Sequence, residues 1–197
     1  MRERRVRRPA ERSRLGRGGR QRGSALIEFA VVLPILVTLV FGMIEFGIAF
    51  NNNIALRQGV REAARQGAVG NFGPTYSTTT PCHLTGAATA SDNLKNLICQ
   101  AKNRIGLDAS KVRVKILSGQ PDFSTAGTFA KADSIIVCAQ YPLDGVTSLF
   151  GAFFGGSTLR TKTSMRIELS DMVATGGEET PPEGGDWSWC TVSSVSP

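Results

Sequence analysis

One histidine stands in 197 residues, and no two of the four cysteines are spaced Cys-x-x-C. That scarcity excludes most zinc chemistry, since a structural site needs clustered thiolates and imidazoles. The histidine, His83, lies between Cys82 and Leu84 with no acidic residue nearby in sequence. It reads as an exposed loop residue rather than a base. A serine nucleophile would need a partner base, and no nucleophile elbow accompanies this one. No glycine loop of the phosphate-cradling kind occurs, and no internal repeat is present. The residues point to no enzyme, no catalytic residue, no cofactor and no metal.

Negative charge is nearly missing from the start of the chain. Residues 1–22 hold ten Arg and two Glu, a charge of +8 against +7 for the whole chain. The other 175 residues therefore carry −1. The basic character belongs to a tail and not to a folded face, and the tail has too little apolar content to build structure. An apolar segment begins directly after it. That position favours a retained cytoplasmic anchor over nucleic-acid binding.

Ser24 to Phe50 is interrupted only by Glu28 and Glu45, and Phe29 to Ile44 is free of charge for 16 residues. With its flanking turns the segment reaches the roughly 20 residues needed to cross a bilayer. It is too long for a removable secretory signal, and no small-x-small cleavage site follows it. Only Arg57, Arg61 and Arg65 lie soon after it. The positive-inside rule then predicts a cytoplasmic N-terminus and an exterior C-terminal part. All four cysteines, Cys82, Cys99, Cys138 and Cys190, fall on that exterior side, where an even number favours disulfides. Four cysteines allow three pairings. Cys82–Cys99 with Cys138–Cys190 is preferred, because the first would pin a loop to the helix after it.

The remaining pattern is α+β. A long helix is expected from Ser24 to Ala68, about 65–70 Å at 1.5 Å per residue. Pro34 inside it removes a backbone donor and should kink it or loosen it locally. It is either an ordinary membrane-helix proline or a flexible point that helps the helix leave the bilayer. Past the membrane, Leu56, Val60 and Ala64 form an apolar stripe, with Arg57, Arg61 and Arg65 as a neighbouring basic one. The basic stripe reads as a solvated face. Gly70 to Pro81 reads as a loop. Ser91-Asp92 is placed to cap a second helix over Asn93–Ile105, stopped by Gly106. Strands are expected over Lys111–Leu117, Ser134–Tyr141 and Thr158–Leu169, the middle one central. Leu149 to Gly156 joins the last two, its phenylalanines either covering the sheet end or forming a partner patch. The parts are thus a basic leader (1–23), a membrane helix (24–50), a helical continuation (51–69), an outer domain (70–175) and a flexible tail (176–197). Trp187, Trp189 and Cys190 nonetheless argue that the tail's end is pinned.

The chemistry lies at the start of the apolar run. Gly23 has no side chain and suits a narrow protease cleft. A cut after it removes the +8 tail and leaves a cationic amine on Ser24. Glu28 then becomes the fifth residue, one helical turn along. In a bundle of such helices with an axial stagger, the amine of one meets Glu28 of another. A paired charge in an apolar bundle costs far less than a lone one, so the pair sets register. The plainer reading leaves Glu28 at headgroup level. Glu45 sits near the opposite interface with the same two readings open.

Gly23-Ser24-Ala-Leu-Ile-Glu28-Phe29, an apolar helix with Pro34, and Phe41-Gly-Met-Ile-Glu45-Phe-Gly closely resemble the TadE-like pseudopilins of the Tad (Flp-type, tight-adherence) pilus machinery. Ala63-Ala64-Arg65 also fits, and residues 148–156 and 163–167 resemble the family's late hairpin. The resemblance implies a minor pilin or pseudopilin, cut after Gly23 by a membrane prepilin peptidase. Glu28 would serve processing or assembly, with Phe29 beside it and Pro34 and Glu45 as secondary assembly positions. Implied partners are the membrane, the peptidase, other pilins and inner-membrane pilus assembly proteins. The implied location is the bacterial cytoplasmic membrane, crossed once, with entry into a surface pilus possible. The implied fold is pilin-like: a long helix packed on a small antiparallel sheet with one further helix. The alternative is an uncleaved, single-pass envelope protein whose outer domain binds a surface ligand. A third reading, an anchored hydrolase, rests on His83 alone.

Overall fold

The computed structural model describes residues 20–72, 82–87, 90–143, 157–169, 177–183 and 185–192. Residues 1–19 of the leader, most of the loop up to Pro81 and the phenylalanine-rich linker 149–156 lie outside them. The described elements are helix α1 (Arg20–Ala68), helix α2 (Asp92–Ile105) and strands β1 (Arg113–Gly119), β2 (Ser134–Pro142) and β3 (Thr158–Arg166). Two compact units divide the chain, Met1–Gly42 and Met43–Pro197, with the boundary inside α1.

In the first unit, α1 exposes apolar side chains on all sides, among them Leu26, Ile27, Phe29, Ile35 and Leu36. A helix apolar all round and uncovered by its own chain requires an apolar surrounding. Among the described residues this is the one helix long and apolar enough to cross a membrane.

In the second unit, α1 turns amphipathic. Leu56, Val60, Ala63, Ala64 and Ala68 are buried against α2 and the sheet. Two glycines allow the approach. A Cβ at Gly59 would lie 2.7 Å from the backbone N and Cα of Ile105, and one at Gly67 would lie 2.5 Å from Ile135 Cδ1. Opposite them, α2 contributes Leu94, Leu97, Ile98, Ala101 and Ile105, the helical period expected. Gly106 ends α2 in the left-handed region at φ 68°. Ser91 takes the N-cap position, but its hydroxyl makes no capping bond and is buried without a partner. The first turn is entered instead through the backbone, with Lys95 N donating to Ser91 O at 3.0 Å.

The sheet is antiparallel with order β1-β2-β3, so β2 is central as its apolar run implies. Val114, Ile116, Ile135, Val137 and Ala139 face the helices. Ile136 and Cys138 face the other way, against Trp187 and Cys190 of the C-terminal segment. Several bounds differ from expectation: α1 begins at Arg20 and α2 at Asp92, β1 runs on to Gly119 and β2 to Pro142, and two strand ends are cut short. β1 begins at Arg113 because Lys111 N and Val112 N are taken by Asp108 O in a turn. β3 ends at Arg166 because Ile167 N bonds Asp133 O and Glu168 N bonds Ala68 O, drawing the chain off the ladder.

Disulfides join Cys82 to Cys99 and Cys138 to Cys190. The first ties the 82–87 loop to α2, and the second ties the C-terminal segment to the central strand. Their sequence separations are 17 and 52 residues. In the loop-entropy account the longer closure stabilises by about 1 kcal/mol more. Full-length protein carrying Cys138→Ser and Cys190→Ser should therefore unfold at lower urea than the Cys82→Ser/Cys99→Ser variant. Equal midpoints would show that loop length does not set the difference. Gly59→Ala should cost about 1–3 kcal/mol by overpacking against Ile105 backbone, checked by the same urea titration.

Candidate functional site

Gly23, Ser24, Glu28 and Phe29 all lie within α1, near its N-terminal end, and their side chains are exposed. A Cβ placed on Gly23 meets nothing within 4 Å. The contrast with Gly59 is informative: packing requires glycine at 59, and nothing in the described fold requires it at 23. Glu28 stands among exposed Leu26, Ile27 and Phe29, the last 60% exposed. A carboxylate on so apolar a surface is costly in a bilayer unless a cation meets it. No described residue of its own chain does so.

The helix runs through Pro34 without interruption. The missing Pro34 N–H leaves the Ala30 carbonyl without its helical donor. Four residues on, Thr38 Oγ1 donates to Pro34 O at 2.8 Å. Pro34, Ile35, Thr38 and Leu39 line a shallow apolar notch there. Glu45 belongs to the second unit and is buried, 7% exposed, although its neighbours Ile44 and Phe46 are exposed. The two acidic residues of the apolar run thus have different surroundings.

His83 is exposed, and its part is played by its backbone: His83 O accepts from Lys102 Nζ at 2.8 Å. Among the described residues no group of three or more His, Cys, Asp or Glu is arranged to hold a metal ion.

What sequence reasoning missed is a buried ion pair. Lys102 Nζ lies 2.7 Å from Glu179 Oε1, and both side chains are 0% exposed. Glu179 Oε1 also accepts from Thr85 N at 3.0 Å, and Oε2 accepts from Val114 N at 2.8 Å. Glu179 N donates to Val114 O, and Glu179 O accepts from Trp187 Nε1 at 2.8 Å. One residue of a Gly-, Glu- and Pro-rich stretch thereby holds α2, the 82–87 loop, β1 and the C-terminal segment together. A signal was present: Lys102 falls on the apolar stripe of α2, four residues past Ile98. Its partner, 77 residues away, had no such signal.

Burial pushes the Lys102 ammonium below the usual lysine range, and the Glu179 carboxylate pulls it partly back. Between its folded and ordinary values the unfolded chain binds more protons. This lysine's contribution to stability therefore rises with pH across that window. Glu179→Gln should cost about 3–5 kcal/mol by stranding the buried ammonium. Replacing both partners with apolar residues, Lys102→Met with Glu179→Leu, should recover much of that loss. Urea unfolding of the single and double variants checks this, and a double variant as weak as Glu179→Gln would refute the desolvation argument.

A family model described as TadE-like protein matches residues 23–65 of this chain. The match begins at the exposed glycine, covers Glu28, Pro34 and Glu45, and ends at exposed Arg65, just past buried Ala63 and Ala64. No curated protein and no solved structure matches the chain.

Proposed function

We propose that this protein is a TadE-like minor pilin or pseudopilin, a structural or priming subunit in assembly of a Tad/Flp-type pilus. The observation that carries the reading is the junction itself. A glycine that the described fold does not need opens the apolar run of α1, with a carboxylate five residues on, inside the family match.

A prepilin peptidase cuts after Gly23, between the arginine leader and Ser24. The leader keeps the N-terminus in the cytoplasm until then. The outer domain stands on the far side of the membrane, where its disulfides are stable. After cleavage the Ser24 amine of one subunit pairs with Glu28 of a neighbour. The partners are the peptidase, other pilins and the inner-membrane assembly proteins, and the role is structural rather than enzymatic. The Pro34 notch offers a place where the helix loosens as it leaves the bilayer.

Mass spectrometry of protein extracted from its native envelope should find Ser24 at the N-terminus. A chain retaining Arg2 to Arg22 would favour the uncleaved envelope module instead. Gly23→Ala should block processing while urea stability stays within about 0.5 kcal/mol of the parent, as expected for a surface change. Glu28→Ala should reduce pilus assembly or processing and leave the outer domain folded. Normal piliation in that variant would eliminate the register role.

A further inference from the structure

The second unit contains a cationic cleft that the pilin reading does not use. Arg57 and Arg61 on α1, with Arg160, Thr161, Lys162 and Thr163 on β3, line a space of about 310 Å³. Arg57 and Arg61 of the basic stripe, exposed as a solvated face should be, also form one wall of a cleft, and the strand supplies the other. Among the described residues no carboxylate forms an ion pair with Arg57 or Arg61, whereas Arg65, the third of the stripe, is held by Glu62 at 2.8 Å. Arg160 stacks on Trp189, 5.8 Å from the ring centroid, and has Asp186 in its vicinity. Lys162 donates to Thr191 O, and burial lowers its pKa. Four cations around one opening repel one another, and an anion in the cleft relieves that repulsion. Guanidinium forks and threonine hydroxyls are suited to phosphate oxygens.

The neighbourhood indicates where the phosphate comes from. In the same unit α1 exposes Met43, Ile44, Phe46, Phe50 and Ile54. Arg57 follows Ile54 by three residues, about 4.5 Å along the helix axis. The polar layer on each side of a bilayer is about 5–7 Å thick. Side chains on a helix lean toward its N-terminus, so Arg57 and Arg61 lean toward the apolar surface. β3 is also a sheet edge, to which an acidic protein segment can add as a strand. The continuity of apolar surface with the cleft favours lipid.

We propose that this cleft binds the phosphate headgroup of an anionic phospholipid in the outer leaflet, fixing the depth and rotation of the outer domain on the membrane. The proposal rests on the reading of α1 as a membrane span.

Full-length protein in neutral detergent, incubated with equal phosphatidylglycerol and phosphatidylcholine, tests this by native mass spectrometry. The parent should retain phosphatidylglycerol roughly tenfold better, and Arg57→Gln/Arg61→Gln should lose that preference, in line with the typical attraction per basic residue. Circular dichroism of the variant controls for folding, and Arg160→Gln, on the opposite wall, should weaken retention independently. Displacement of the lipid by millimolar inorganic phosphate would assign the cleft to a soluble anion and overturn the lipid source. A preference unchanged in the Arg57/Arg61 variant, or absent in the parent, also overturns it and leaves the cleft to an acidic protein segment. Alkaline extraction of membranes separates the two layers of inference. Release of the protein defeats the membrane span, whereas a retained protein without lipid preference defeats this proposal alone.

Discussion

The second unit depends on a charge pair that water does not reach. Lys102 and Glu179 are both fully buried, and such a pair holds only if its remaining donors and acceptors are satisfied. Here most of them are: Lys102 Nζ donates to Glu179 Oε1 and His83 O, while Thr85 N and Val114 N donate to the carboxylate. Because these partners come from a loop, a helix, a strand and the C-terminal segment, the pair makes their arrangement specific. An apolar replacement fills the space but leaves open which segment closes the edge of β1. Glu179, through N–H and carboxylate on Val114 and carbonyl on Trp187, covers that edge.

Helix α1 meets two solvents. Before Gly42 most of its apolar side chains are exposed among the described residues, a surface suited to hydrocarbon. From Leu56 onward one stripe is buried against α2 and the sheet, with Gly59 and Gly67 admitting close approach. The family match spans both parts of this one helix. Its glycines differ too: those at 59 and 67 serve packing, while a Cβ at 23 or 47 would meet nothing within 4 Å.

Much of the fold was legible because its signals are local. The alternation of Val112, Val114 and Ile116, the run of β2, the stripe of α2 and the stop at Gly106 each report on a few neighbouring residues. Where the reading overran a strand, a backbone bond outside the ladder had intervened. Glu168 N reaching Ala68 O shortened β3, and the Asp108 turn delayed β1. Ser91 has the right residue type for a side-chain cap, yet its hydroxyl is enclosed and unbonded.

The sequence by itself determined the membrane-length apolar run, the glycine-serine junction with its acidic fifth residue, and the type of each element, because charge, hydropathy and periodicity are properties of adjacent residues. Only the tertiary structure decided that Lys102 chooses Glu179 among 16 acidic residues, and that Arg57 and Arg61 face Arg160 and Lys162 across one cleft. Those encounters join positions far apart in the chain. Burial and charge select between such partners only once the strands and helices have brought them together.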